Sequence, residues 1–450
     1  MAKPAKTAER DGRARVAERQ VPTRAVRDLA YVQLASTELA REINRDIILE
    51  LIRAHQPIAR VDLVRHSGLQ NSTVSSIVEQ LLEENWICEG EAVKTARGRR
   101  PTQISLNRRL AMLVTDVRPG RAALAAVDLN GTILARTAIA LPQDPAHGVE
   151  ALAAGLLELR GQFPEHTFEG AGVCVPGRID PATHQLILAP NLRWQDYAIG
   201  ETLAERLGMS VELENDANAC LLSELWFGHL DGVRNAVLLA ISEGVGASIL
   251  ADGQLICGHQ GMAGEFGHIC YDPKGALCGC GRRGCWEVFA SSTAALNAYA
   301  QEGGDGGGIS YQELCRRAQA GDAAAKAAIC KQATVIGRGL RMVTVALSPE
   351  VICFAGEVTL GWPMIEPVLS QECARGMLGG EPPKLLSAGD GEVAHLLGAA
   401  AVVLQRHSGY YRSRNGRASQ GNGKASAKKR SGSKRRHPDT PVAEPAEASV

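Results

Sequence analysis

Between Met262 and Glu287 the chain reads MAGEFGHICYDPKGALCGCGRRGCWE. One imidazole, His268, precedes three thiols, Cys278, Cys280 and Cys285, and two carboxylates, Glu265 and Glu287, stand at the ends of the run. One histidine and three cysteines make a closed tetrahedral set for zinc. No coordination position is left for water or substrate, so the expected role is structural and not hydrolytic. Gly279, Gly281 and Gly284 permit the tight backbone turns that such a knuckle needs. Buried free thiols are the ordinary alternative. Three cysteines this close together, after a histidine and without aliphatic periodicity, do not fit it. The two glutamates then become groups held rigidly beside a pinned loop.

A second constellation is Glu214-Asn215-Asp216-Ala217-Asn218, at the end of an apolar run and the start of a helical one. Taken alone, Asn-Asp at such a place is a turn or a helix N-cap. Together with GMAGEFGH and the following CxCGxxGCxE, however, ENDAN resembles the pattern of the ROK family, which contains bacterial sugar kinases and sugar-responsive repressors. The resemblance runs from about Asn44 to about Gln405. It implies that Asn215 hydrogen-bonds a sugar hydroxyl and that Asp216 corresponds to the kinases' general base. It further implies hydroxyl contacts from Glu265, His268 and Glu287, with one His268 nitrogen on zinc and the other toward the ligand. Gly177 and Arg178 in VPGRID and Asn191 in APNLRW are further candidates for the same cleft.

The phosphate side departs from the kinase pattern. The family's DxGGT-like turn corresponds to Asp116-Val117-Arg118-Pro119-Gly120-Arg121, where a bulky Arg and a Pro without an N–H replace small residues. The GTGxG loop corresponds to Ser242-Glu243-Gly244-Val245-Gly246, and Glu243 would repel a polyphosphate. The adenosine-side glycine run is reduced to Ala355-Gly356-Glu357. A sugar site left whole beside three altered phosphate loops reads as a sensor with no enzymatic activity, in which Asp216 is a relic of catalysis.

The elements that must carry these residues are legible as patterns. Ile47, Ile48, Leu51 and Ile52 mark a first helix ending before Gln56-Pro57, and Val61, Leu63 and Val64 a short second one stopped at Gly68. Val74, Ile77, Val78, Leu81 and Leu82 mark a third, which makes a helix-turn-helix. Gln70, Asn71, Ser72, Thr73, Ser75 and Ser76 stand at or near its start, where a recognition helix meets base edges. Trp86-Ile87-Cys88 begins a hairpin whose tip or return carries Arg97, Arg99 and Arg100, a basic wing suited to a minor groove. A protein-interaction module with a solvated basic loop is the alternative. From Ala111 strands alternate with helices, predicting an α/β domain with a mixed sheet and helices on both faces. The resemblance implies two ribonuclease-H-like lobes of the actin and hexokinase type. The expected division is a disordered segment 1–25, a winged helix-turn-helix 26–108, a ligand-binding domain 109–406 in lobes of about 109–230 and 231–406, and a disordered basic tail 407–450.

Composition sets the compartment. The 450 residues carry no net charge and twelve irregularly spaced cysteines, which suits a reducing interior better than a disulfide framework. No apolar run is long enough for a membrane span and the N-terminus lacks a secretory pattern, so the chain reads as cytoplasmic. The expected partners are operator DNA, a sugar or sugar-derivative effector, and a second copy of the chain in a homodimer or dimer of dimers. The function these readings imply is a sugar-responsive DNA-binding transcriptional regulator of the repressor type. An active ATP-dependent sugar kinase with an appended DNA-binding domain, and a repressor controlled by a partner protein, are the alternatives.

Overall fold

A computed structural model describes residues 37–90, 102–180, 183–230, 232–304, 308–376, 379–388 and 391–407. The basic wing with Arg97, Arg99 and Arg100 lies outside these residues. So do the segment 1–25 and, apart from His407, the tail 407–450, for both of which the sequence predicts disorder.

The N-terminal domain is α1 (Thr37–His55), β1 (Ile58–Ala59), α2 (Arg60–Ser67), α3 (Asn71–Glu83), β2 (Ile87–Glu89) and β3 (Gln103–Leu106). Gly68 ends α2 in the left-handed conformation at φ 69°, which sets the turn into α3. The periodic residues Val74, Ile77, Val78 and Leu81 of α3 are buried on Ile48 and Ile52 of α1 and Leu63 of α2. The strands pair in the order β1-β3-β2, the small sheet of a winged helix.

The first lobe follows with β4 (Leu110–Arg118), β5 (Arg121–Asp128), β6 (Ile133–Ala140), α4 (Pro145–Gly161) and β7 (Thr167–Val175). A small antiparallel sheet of β8 (Arg178–Ile179), β9 (Leu186–Ala189) and β10 (Trp194–Tyr197) precedes α5 (Ile199–Leu207), β11 (Val211–Asn215) and α6 (Asp216–Trp226). The second lobe contains β12 (Ala236–Ile241), β13 (Val245–Ala251) and β14 (Gln254–Leu255), then α7 (Glu287–Ala290), α8 (Ser292–Gln301), α9 (Tyr311–Gln319) and α10 (Ala323–Leu347). It continues with β15 (Val351–Ala355), α11 (Trp362–Gly376) and β16 (Lys384–Ser387), and α12 (Gly391–Gln405) follows.

The two large sheets have the same topology. β11-β7-β4-β5-β6 in one corresponds to β16-β15-β12-β13-β14 in the other, each with three antiparallel strands and two parallel additions. This is the two-lobed, ribonuclease-H-like architecture that the resemblance implies. One expectation needs correction. The helix that follows β16 does not complete the second lobe: α12 packs on α6 and on β7, β4 and β11 of the first sheet. Burial explains this, because Leu396, Ala399, Ala400 and Val403 fill the apolar face that Met112, Val114 and Cys174 leave on that sheet. The same apolar cluster runs on into the winged helix through Leu106, Trp86 and Ile52, so the N-terminal module and the first lobe share one core.

Candidate functional site

The metal-type loop is built by local geometry. Residue pairs Cys270 and Cys285, and Leu277 and Arg283, bridge antiparallel, and Cys278 N–H donates to the Arg282 carbonyl at 2.7 Å. Gly284, at φ 69°, lies so close to the Asp272 carbonyl that any Cβ would overlap it, and Gly281 turns the knuckle at φ 83°. Gly279 shows neither constraint. The donor atoms of His268, Cys278, Cys280 and Cys285 all lie within 4.8 Å of one another. Cys280 Sγ is 3.6 Å from Cys285 Sγ, and Cys278 Sγ is 3.7 Å from His268 Nδ1. Bonds of about 2.3 Å to sulfur and about 2.0 Å to nitrogen give a tetrahedron whose edges are about 3.5–3.8 Å. The donor set therefore fits zinc in both chemistry and spacing. Burial pushes the bare Cys278 thiol up to about 12, whereas a backbone N–H at Arg282 pulls Cys280 down; a bound cation would hold both as thiolates.

The glutamates extend this loop into the cleft. His268 turns Nδ1 toward the thiols, and its Nε2 lies 3.8 Å from Glu265 Oε2. Glu287 opens α7 with Oε1 3.5 Å from Cys278 Sγ, and Oε2 accepts from Val245 N–H at 3.0 Å. Val245 belongs to the 242–246 loop, and a Cβ on its neighbour Gly246 would meet Ala217 at the start of α6. The metal-type loop, the 242–246 loop and the Asn215-Asp216 corner are thus packed in series.

Asn215 caps α6: Oδ1 accepts from Ala217 N–H at 2.9 Å, while Nδ2 donates to the Gly177 carbonyl at 2.7 Å. Its amide keeps one further N–H to offer a ligand. Glu214 behind it is half-buried and accepts from Asn218 Nδ2 and Asn215 N–H at 2.9 Å each, and desolvation pushes its carboxyl up. Arg178 reaches from β8 to Met262, with Nη1 3.0 Å from Sδ, and so joins the Glu265 segment to the Gly177 corner. Asn191 is exposed between β9 and β10.

The sequence does not reveal what surrounds Asp216. Arg118 Nη1 donates to Asp216 Oδ2 at 3.1 Å, and Arg118 Nε lies 3.0 Å from Asp116 Oδ1. Arg118 Nη2 lies 2.7 Å from His395 Nδ1 on α12, and since a guanidinium has no acceptor, the imidazole nitrogen accepts. Burial pushes the Asp116 carboxyl up, but its neighbours, the Arg118 guanidinium among them, outweigh it and hold the group below the usual aspartate value. Burial also opposes charge on Arg118, yet Asp116 and Asp216 keep it firmly protonated. On the facing lobe, Glu357 N–H donates to Ser242 Oγ at 3.0 Å, and Ser292 Oγ donates to the Glu357 carboxylate.

At the other end of the molecule Gln70, Asn71, Ser72 and Ser76 lie along the start of α3; Asn71 and Ser72 are exposed, and Thr73 and Ser75 are half-buried. The expected base-reading side is therefore open to solvent at the helix N-terminus.

The ROK family profile matches residues 117–406. The Xylose repressor of Bacillus spizizenii is 28% identical over 380 residues, covering 83% of this chain and 98% of the relative. The DNA-binding transcriptional dual regulator NagC of Escherichia coli is 27% identical, over 73% of this chain and 83% of its own. Among solved structures, a ROK family transcriptional regulator described as a homologue of the E. coli MLC protein superposes with a TM-score of 0.72 at 26% identity, covering 84% of this chain and 99% of its own. A ROK family glucokinase from Streptomyces griseus, solved with glucose and AMPPNP, superposes with a TM-score of 0.58 at 27% identity, over 66% of this chain and 99% of its own.

Proposed function

The chain belongs to the ROK family, and from that membership we propose that it is a sugar-responsive DNA-binding transcriptional repressor. Its kinase-like domain serves as the sensor. The regulators named above are matched over a larger share of this chain than the glucokinase, and a winged helix with an exposed start to α3 is what such a regulator requires.

One observation carries the non-enzymatic reading: Arg118 turns inward onto Asp116 and Asp216. In the family's kinases the corresponding turn faces the phosphates of ATP with small residues. Here the space beside Asp216 holds a guanidinium already neutralised by two carboxylates, and Ser242 is engaged by Glu357. Glu243 adds a negative charge to the same side. Asn215, Asp216, Glu265, His268 and Glu287 supply the mixed donors and acceptors that fix a polyol, with Gly177, Arg178 and Asn191 at the margin. His268, Cys278, Cys280 and Cys285 would hold a structural zinc that steadies Glu265 and Glu287. Gln70, Asn71, Ser72, Thr73, Ser75 and Ser76 would read bases, and Arg97, Arg99 and Arg100 would contact the backbone or minor groove. A two-fold homodimer, or a dimer of such dimers, would match paired operator half-sites in the cytoplasm. No helix among the described residues is long and apolar enough to cross a membrane.

The test is a mobility-shift titration of DNA upstream of the protein's own gene, repeated with D-xylose, D-glucose and N-acetyl-D-glucosamine. Release by one of these sugars is the expected result. Tight operator binding that no sugar changes would favour control by a partner protein.

A further inference from the structure

Two helices run side by side from the cleft to the DNA-binding domain. α6 begins at Asp216 and ends at Trp226, whose carbonyl accepts from Arg53 Nη1 of α1 at 2.9 Å. α12 carries His395 near its start, and just beyond its end the His407 carbonyl accepts from Arg45 Nη1 of α1 at 3.2 Å. The His407 ring also lies 4.9 Å from that of Trp86. Arg45 and Arg53 stand about two turns apart on α1. Each satisfies a carbonyl at or just past a helix C-terminus, where a cation is favoured.

At the cleft the two helices are joined by one side chain. Arg118 reaches Asp216 at the head of α6 and His395 at the head of α12. Between these ends the packing leaves no slack. A Cβ at Gly398 of α12 would overlap the Ala219 carbonyl of α6, and a Cβ at Gly172 of β7 would overlap the Ala399 carbonyl of α12. Elements in backbone contact move as units and do not absorb a displacement by changing rotamers.

We propose that Arg118 is the coupling residue of the sensor. It clamps the heads of α6 and α12 together, and a sugar hydroxyl that takes Asp216 releases the clamp and shifts the helix pair against Arg45 and Arg53. The inference rests on the reading of the cleft as a sugar site. Its physical basis is competition on one oxygen: Arg118 Nη1 already donates to Asp216 Oδ2, so a hydroxyl that takes the same lone pair displaces the guanidinium. Asp116 makes the exchange feasible, because Arg118 keeps a buried counter-ion when it leaves Asp216. Arginine is suited to this task, since its planar fork holds three acceptors at once and a lysine ammonium would not reproduce that geometry. By linkage, the factor by which sugar weakens operator binding is the factor by which operator weakens sugar binding.

Two measurements on the full-length protein test this. The first uses no sugar: Arg118→Gln is expected to speed amide exchange in residues 45–55 of α1 by about threefold or more. In an Arg45→Gln/Arg53→Gln background the same substitution is expected to leave α1 exchange unchanged. Arg118→Lys, which keeps the charge and loses the fork, gives the same readout should Arg118→Gln fail to fold. Unaltered α1 exchange in either Arg118 variant overturns the clamp. The second uses D-xylose, D-glucose and N-acetyl-D-glucosamine with calorimetry and an operator titration. For Arg45→Gln/Arg53→Gln the sugar Kd should stay within about twofold of wild type, while a sugar effect on operator Kd of roughly tenfold or more should fall below about twofold. A full-sized response in that variant overturns the relay and leaves sugar sensing intact. Exchange that follows Arg118 in a protein whose operator binding ignores all three sugars supports the clamp and overturns sugar as its trigger.

Discussion

The guanidinium of Arg118 lies 3.1 Å from Asp216 Oδ2, although the two residues are 98 positions apart in the chain. Asp116 holds the other side of the same group and is itself buried, with its side chain 3% exposed. Arg118 is therefore anchored by one inaccessible carboxylate and extended to a second that faces the cleft, 27% exposed. That asymmetry separates a stability role for Asp116 from the ligand role proposed for Asp216.

Asp116→Asn is expected to lower stability at neutral pH by about 3 kcal/mol, the scale for removing one member of a buried pair. The sign of the pH effect follows from its lowered pKa. The Asp116 contribution is present in full above the ordinary value of 3.8 and is lost as pH falls through the folded-state value. Urea unfolding at neutral and acid pH checks both points. Wild type should lose more stability than Asp116→Asn on acidification, and parallel losses would mean that the carboxylate is not what holds Arg118.

Purified protein should carry about one zinc per chain, from four ligands in a closed site. Cys280→Ser should lose most of it, because the remaining three ligands no longer close the tetrahedron. Elemental analysis checks the ratio. Metal-free wild type that resists unfolding as well as the freshly purified protein would show that the loop stands without an ion.

Much of this is legible in the sequence where the interactions are local. The four metal-type ligands fall between 268 and 285, so their spacing alone carries the signal. The periodicity of Val74, Ile77, Val78 and Leu81 identifies a buried helix face, and the structure buries all four. Periodicity reports that a face is covered and not by what. It gives no hint that α12 covers the first sheet, nor that His395 meets Arg118 across 277 positions. In the sequence Arg118 stands out only as a residue too bulky for a phosphate turn, which describes what it excludes and not what it binds. The edge strand β16 is silent because four residues, KLLS, show no decisive pattern. Val61 shares the apolar pattern of α2, yet it is 66% exposed, since Leu63 alone of that trio is fully buried.

The DNA contacts should divide into two kinds. Asn71→Ala, at the exposed start of α3, should reduce discrimination between bases by about 1–3 kcal/mol at the position it reads. Arg99→Ala or Arg100→Ala should weaken all sequences alike and flatten the salt dependence by about one ion for each phosphate the guanidinium no longer neutralises. Titrations of operator and scrambled DNA at several salt concentrations distinguish the two. Equal losses from Asn71→Ala on both DNAs would remove α3 from base reading.

With ATP and magnesium, no phosphorylation of D-glucose, D-xylose or N-acetyl-D-glucosamine should exceed background. The phosphate side offers a guanidinium already paired with Asp116 and Asp216, and Glu243 adds an unfavourable charge. A coupled assay for sugar-dependent ADP release reads this directly. Turnover on the order of 1 per second, within the ordinary enzyme range, would reverse the non-catalytic reading.

Asp216 can be tested apart from catalysis, because accepting a hydrogen bond from a hydroxyl needs no ATP. A hydrogen bond to an ionised acceptor contributes roughly 1.5–3 kcal/mol, so its loss corresponds to about a ten- to hundredfold weaker ligand. Asp216→Asn keeps the shape and removes the charge, and Ala217 N–H still has an acceptor in Asn215 Oδ1. The cap of α6 should therefore survive, and the overall fold with it. Calorimetry with the sugar that releases wild-type protein from DNA should show the weakened Kd. Glu287→Gln provides the contrast: its Oε2 is already held by Val245 N–H, so an amide oxygen can replace it there and the loss should be smaller. An Asp216→Asn Kd equal to wild type would mean that the sugar binds elsewhere than beside Arg118.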